Sequence, residues 1–217
     1  MVVKQRARRD EEKQHRRRTI LLAARDLLEE RAFTEFTIAA VAERVGLAKG
    51  TLFLYFETKE KLYLALLEEM LQDWFTDIDL RLDKLDADIP MQSLSTTLVD
   101  SLKNRKLFLT LLSLLESVLE HNIDYETAAK FKWGLLEKVT ATGKRLEQRL
   151  PSLSLGEGTR LLLHIRALIT GLHQMSNTST VVAKVLEDPA MQVFRIEFEQ
   201  ELEYGLKALI DGFTKKV

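Results

Sequence analysis

The four histidines, His15, His121, His164 and His173, are the first place to look for metal or proton chemistry. No two stand at i, i+4, and no carboxylate joins them in a known ligand spacing. His164 and His173 read instead as residues at the ends of an apolar face, or hydrogen-bonded within it. Ser113 and Ser117 have no His and Asp constellation to activate them. The chain has no cysteine, which removes a thiol nucleophile, a Cys-ligated zinc site and a disulfide scaffold. No glycine-rich loop is present to cradle a phosphate. The residues point to no enzyme, no metal and no cofactor.

The spacing does support chemistry between Thr37 and Phe56, TIAAVAERVGLAKGTLFLYF. Thr37 can cap a first helix by accepting a bond from a backbone N–H one turn on. Ile38, Val41 and Ala42 recur with the period of one helix face. Ala39, Ala40 and Ala42 are small enough to let another helix approach closely. Gly46 stands where a left-handed residue ends a helix cheaply. A second helix then begins near Ala48, so the stretch reads as a helix-turn-helix. Ala48, Lys49, Gly50 and Thr51 form the first turn of that second helix, the part that meets base edges in a major groove. Lys49 can donate to guanine or to a phosphate, and the Thr51 methyl suits a thymine methyl. Gly50 permits close backbone approach at some cost in helix propensity. Leu52 points back into the core.

From about Arg18 to Leu66 the order is an amphipathic helix ending in ERAFTEFT, then IAAVAERVGLAKGTLFLYF, then ETKEKLYLALL. This resembles the tetracycline-repressor (TetR) family of bacterial regulators, whose pattern is roughly G-x-x-x-x-T-x-x-x-I-A-x-x-A-G-V-S-x-G-x-[LI]-Y-x-[YH]-F-x-x-K-x-x-L. The resemblance covers the first quarter to third of the chain. It implies that Lys49, Gly50 and Thr51 face the groove and that Thr37, Tyr55 and Lys59 contact phosphate. Three residues depart from the pattern. Ala48 replaces a Ser or Thr cap worth about 1 kcal/mol. Phe53 replaces a tyrosine, and Leu54 stands where many members are polar or aromatic. The reading surface is therefore less polar than usual, and apolar thymine contacts with indirect readout are expected to carry more of the specificity.

The net charge of −1 conceals an asymmetry. Residues 1–25 hold nine Lys and Arg against three acids, a balance of +6 that leaves −7 for the remainder. A basic end on an acidic body is the footprint of a DNA-binding end. Arg17 and Arg18 are its nearest candidates for phosphate, although a solvated tail gives the same charge pattern. The start, MVVKQRARRDEEKQHRRR, has no apolar core behind it and does not read as a secretory signal. No apolar run is long enough to span a bilayer. A cytoplasmic location is expected.

The elements that position these residues are all helical. Three prolines and nine glycines in 217 residues favour long helices over sheets. The expected fold is all-α: a three-helix head at 16–60 with its helix-turn-helix at 37–56, preceded by a flexible basic arm at 1–15. A larger helical domain for ligand binding and dimerisation follows at 61–217. Ile20, Leu21, Ala24, Leu27 and Leu28 stripe a helix from about Arg16 to Arg31. Phe33 and Phe36 close the small core. Thr58 caps a helix reaching about Leu82, with Leu62, Leu66, Met70 and Trp74 on one face. A helix follows at 93–104, then a buried central one at 105–120. Asp124 caps a helix to Arg149. Ser154 and Glu157 fit a capping box for the next, and Pro189 opens a last helix to about Phe213.

The resemblance further implies a small-molecule pocket in the body and a twofold dimer through about 155–175 and 190–213. Trp74, Met91, Phe108, Phe131, Trp133, His164 and Met175 are candidate lining residues, being large, soft or aromatic, and their mostly apolar character points to an apolar or amphipathic ligand. The partners expected are thus operator DNA, a second copy of the chain and a small effector, with no membrane. The function expected is a repressor released by its ligand. A ligand-independent dimeric regulator or architectural protein with the same head is the alternative. A helical scaffold in which the motif serves packing alone is the other class, and the basic end argues against it.

Overall fold

A computed structural model describes residues 2–30, 35–86 and 89–215 of the chain. It is built from helices, with no strand among the described residues. The first, α1 (Val2–Glu30), starts well before the expected Arg16. Its early residues lack Gly and Pro and are rich in Lys, Arg, Gln and Glu, all good helix formers, so the arm expected to be flexible is helical from Val2. The expected role of Phe33 falls outside the described residues.

Helices α2 (Ile38–Arg44) and α3 (Lys49–Phe53) make the helix-turn-helix. Ile20, Leu21, Ala24 and Leu27 of α1 close over Val41, Ala42, Leu52 and Phe56, all buried. At the far end of the pair, Arg44 grips Glu30 through two parallel bonds of 3.1 and 2.6 Å, joining α2 to α1. Phe36 packs against Tyr63 at 5.1 Å between ring centres, which attaches this small core to the next helix.

That helix, α4 (Lys59–Asp83), is the spine of the molecule. Thr58 caps it, its hydroxyl accepting from the Lys61 N–H at 3.1 Å. The expected stripe of Leu62, Leu66, Met70 and Trp74 is buried, and so are Leu64, Ala65, Leu71, Ile78 and Leu82. The wider burial reflects neighbours on several sides: α4 meets α1, α5, α6 and α7.

The body holds α5 (Met91–Leu102), α6 (Lys106–Ser113), α7 (Tyr125–Arg149), α8 (Glu157–Ser176), α9 (Thr180–Val185) and α10 (Phe198–Thr214). Asn104 turns the chain between α5 and α6 at φ 61°, a left-handed conformation that asparagine tolerates. The expected single helix at 105–120 is instead two pieces. After Ser113 the hydrogen bonds widen to i→i−5, from Leu119 to Leu114 and from Glu120 to Leu115, forming a π turn at Leu115–Leu119.

Asp124 caps α7, accepting from the Thr127 N–H at 2.9 Å. Helices α7 and α8 touch backbone to backbone at Gly143 and Gly158, where Glu147 also accepts from the Gly156 and Gly158 N–H groups. Only half of the expected capping box forms. The Ser154 N–H donates to Glu157 at 2.5 Å, but Gly156 is the N-cap and no side chain caps the helix. The last helix also differs from expectation. Pro189–Phe194 is a 3-10 segment, and α10 begins only at Phe198. Asp188 caps the 3-10 segment through the Ala190 N–H, so the Pro189 start holds for that segment alone.

Candidate nucleic-acid interface

The geometry of the head follows from its turn. Thr37 accepts from the Ala40 N–H at 3.2 Å and fixes the start of α2. Gly46 stands at φ 67° and reverses the chain, where any side chain would add strain. The Leu47 N–H then reaches back to the Ala42 carbonyl at 2.8 Å. Leu52 and Phe56 pin α3 from below, leaving Ala48, Lys49 and Gly50 exposed and Thr51 half-buried. As expected for alanine, Ala48 provides no side-chain cap.

The exposed surface is mixed in chemistry. The Lys49 ammonium lies over the Phe53 ring at 5.8 Å. Leu54 is 78% exposed, an apolar side chain projecting from the end of the recognition helix. Tyr55 is half-buried beside it. The two arginines differ. Arg18 is exposed, whereas Arg17 is half-buried with its guanidinium 4.9 Å from the centre of the Phe56 ring. Both lie close enough to Glu69 on α4 to oppose the upward push that burial gives its carboxyl.

Lys59 is engaged within the head. Its ammonium donates to the Phe36 carbonyl at 3.2 Å and lies over the rings of Phe36 and Tyr63 at 5.5 and 5.2 Å. It ties the loop before α2 to the start of α4. The Lys59 side chain is therefore spent on holding the head together, and a phosphate would have to compete with those contacts.

The body contains an apolar cavity of about 250 Å³ between α4, α6, α7 and α8. Of the expected lining residues, Trp74 and Phe108 border it, their rings 5.7 Å apart. The Trp74 indole N–H is satisfied by Ser101 at 2.9 Å. Phe131 is buried but borders other depressions. Trp133 and Met175 are 71% and 57% exposed, and Met91 is also on the surface. His164 is exposed and meets the edge of Phe213 at 5.5 Å. These four were expected from residue type alone, and type does not say which way a helix turns. His173 is the buried histidine, packed on Phe198 at 5.7 Å.

Sequence reasoning missed the charged residues of the cavity, Lys132 and Arg166. A signal was available. Arg166 sits between Leu162 and Ile169 on the apolar stripe of α8, and Lys132 precedes Leu135 and Val139 on that of α7. The Lys132 side chain is exposed, but Arg166 is half-buried, and a half-buried cation is costly unless something there uses it.

A helix-turn-helix with an exposed first turn, mounted on a larger helical body, defines a DNA-binding regulator. Residues 20–66 match the family described as bacterial regulatory proteins, tetR family, and residues 68–216 match the tetracyclin repressor-like C-terminal domain. The chain belongs to the TetR family of transcriptional regulators, which are DNA-binding factors and not enzymes.

A transcriptional regulator from Rhodococcus sp. Rha1 superposes with a TM-score of 0.52 at 14% identity, over 93% of this chain and 99% of that one. A TetR-family regulator from Mesorhizobium loti gives 0.53 at 16%, over 93% and 96%. The fatty acid degradation regulator FadR from Bacillus halodurans gives 0.51 at 16%, over 87% and 96%. At such identities these likenesses establish the fold alone. A comparison with curated proteins finds no match. No helix among the described residues is long and apolar enough to cross a membrane.

Proposed function

We propose that this regulator is a cytoplasmic homodimeric repressor, bound to a near-palindromic operator and released by a small, mostly apolar ligand. The observation that carries the DNA-binding end of this reading is the recognition helix itself. Its base is locked by Leu52 and Phe56, and its first turn is exposed at Ala48, Lys49 and Gly50 with Thr51 half-buried. Residues 16–60 act as the reading head, 61–217 as the ligand-binding and dimerising body, and 1–15 as a basic arm along the phosphates. The apolar Phe53 and Leu54 favour thymine methyls and DNA shape over hydrogen-bonded readout.

Support for a dimer comes from surface that one chain leaves uncovered. Leu163 and Met175 on α8 and Tyr204 on α10 are exposed, as are Val181, Val185, Val193 and Phe194 in the segment between the helices. Exposed apolar side chains that gather into a large patch usually mark an interface. Pairing α8 and α10 across a twofold axis would present two α3 helices to half-sites about 34–36 Å apart. The cavity supports an effector, since a ligand preferring one arrangement of the body shifts the population toward it.

The test is selection from random-sequence duplex DNA with the purified full chain. A near-palindrome with half-sites one helical turn apart supports the reading, and a footprint confined to guanine contacts would count against the apolar readout. Failure to enrich any sequence at low salt would overturn the reading. A regulator that no small molecule releases would leave the ligand-independent alternative.

A further inference from the structure

The cavity is apolar on every side but one. Trp74, Phe108, Leu112, Leu162 and Ile169 form much of its wall. On the remaining side stand Lys132 of α7 and Arg166 of α8, the charged residues of the lining, both cationic. No carboxylate lines it among the described residues. Each cation is instead held from outside by an acid, one in the π turn and one directly after it. Arg166 donates to Glu116, and the Lys132 ammonium lies 2.6 Å from Glu120. Neither acid satisfies the whole guanidinium. The Arg166 Nε is buried with no hydrogen-bond partner among the described residues. Desolvation also holds the Arg166 guanidinium below the ordinary arginine value. A buried charged donor without an acceptor is costly, and an arriving anion relieves that cost.

We propose that the cavity takes an amphiphile with an apolar body and a carboxylate head, and that this head displaces Glu116 and Glu120 from Arg166 and Lys132. The proposal rests on the reading of the chain as an effector-controlled regulator, and it names the chemistry of the effector. An alkylammonium ligand would meet like charge at both cations. An uncharged alcohol would fill the apolar part but leave the Arg166 Nε facing a weaker acceptor.

The exchange has a route to the DNA-binding head. The π turn that carries Glu116 leads through Glu120 into Asn122 and Asp124. The Thr58 hydroxyl donates to the Asn122 carbonyl at 3.5 Å, and the Asn122 amide donates to Glu60 at 3.4 Å. Lys61 lies 2.6 Å from Asp124. These three partners form the first turn of α4, a few residues after the recognition helix. π turns are found disproportionately at functional sites. Here the turn spans the distance between the cavity cations and the base of the head. Freeing its acids from Arg166 and Lys132 lets it settle differently against α4, the coupling that an effector requires.

The experiment uses the two tryptophans. Trp133→Phe removes the exposed one and leaves Trp74, in the cavity wall, as the sole tryptophan, excited selectively at the red edge of its absorption. This protein is titrated with straight-chain carboxylates from hexanoate to dodecanoate, below their micellar concentrations, and with the alcohol and amine of each length. The carboxylate is expected to change Trp74 emission at a concentration at least tenfold lower than its alcohol or amine. Glu116→Gln removes the acid that competes for Arg166 and should tighten carboxylate binding several-fold, while Arg166→Gln should abolish the preference over the alcohol. Equal binding of alcohol or amine would overturn the proposal, as would indifference to Glu116→Gln, a surface change that leaves the core intact.

The same ligands are then added to the protein on its selected duplex. Carboxylate binding without DNA release keeps the ligand class and removes the effector reading. Intact DNA binding with no response of Trp74 to any probe does the reverse.

Discussion

The Lys61 ammonium lies 2.6 Å from the Asp124 carboxylate, joining the first turn of α4 to the cap of α7. The same lysine also reaches Glu57 at 2.5 Å, in the loop after the recognition helix. One side chain thus connects the reading head to the body.

Asp124 should make that joint sensitive to acid. The Lys61 ammonium, with the Thr127 N–H and hydroxyl, holds its carboxyl well below the usual carboxylate range. A depressed folded-state pKa gives stability that is fully present above the unfolded value of about 3.9 and lost as pH falls below it. Asp124→Asn keeps a capping side chain but removes the charge. The melting temperature of the variant should therefore fall less steeply than that of the parent as pH drops from about 5 to about 2. Parallel curves would show that Asp124 does not contribute through its charge.

Gly50 is costly to the head with no internal reason. A Cβ built there meets nothing within 4 Å. Alanine is the better helix former by about 0.8–1 kcal/mol. Gly50→Ala should raise the stability of the isolated protein by up to about that amount and weaken binding to the selected duplex by tenfold or more. Thermal melts and a binding titration separate the two effects. A variant that is more stable and binds equally well would remove Gly50 from the interface.

Ala48 offers the opposite gain. It stands at the N-cap of α3 without a side-chain bond. Ala48→Ser restores a cap worth about 1 kcal/mol and places a hydroxyl where phosphate is expected. Stability and affinity should both rise, and a drop in affinity would mean that DNA packs directly against the Ala48 methyl.

The α7–α8 contact is set by glycine. A Cβ on Gly158 would lie 2.0 Å from the Gly143 carbonyl oxygen, and one on Gly143 would lie 2.6 Å from the Thr159 amide nitrogen. Both obstacles are backbone, so neither can swing aside. Gly158→Ala should destabilise by about 1–3 kcal/mol, the usual cost of overpacking. Because α7 and α8 carry Lys132 and Arg166, it should also shift any response of Trp74 to ligands. Urea unfolding checks the first effect, and an unchanged midpoint would contradict the close contact.

The head was legible because its signals are local. Thr37, Gly46 and Thr58 act within a turn of their own position, so residue type and spacing suffice to place them. The stripe of α4 was legible for the same reason, although its width depended on how many helices pack around it. The body was less so. Trp133, His164 and Met175 are large or aromatic, yet each sits on the outer face of its helix. Facing is decided by tertiary neighbours far away in the chain. The π turn at Leu115–Leu119 is invisible in an apolar run, because a shift from i→i−4 to i→i−5 bonding changes no composition. The late start of α10 has a local cause. Asp188 and Pro189 favour a short 3-10 turn, and Arg195 and Glu197 are extended before Phe198.

In the proposed function α3 reads DNA while the basic end holds its phosphates. The most direct measurement is affinity for the selected duplex as a function of salt, beside a scrambled duplex of the same length. Two heads that together neutralise about four or more phosphates predict a log–log slope of about −3.6 or steeper. The selected duplex should bind at least about a thousandfold more tightly than the scrambled one at physiological salt. Replacing Arg18 should flatten the slope on both duplexes alike, and replacing Lys49 should weaken the selected one more. A shallow slope with equal affinity for both duplexes would contradict the account.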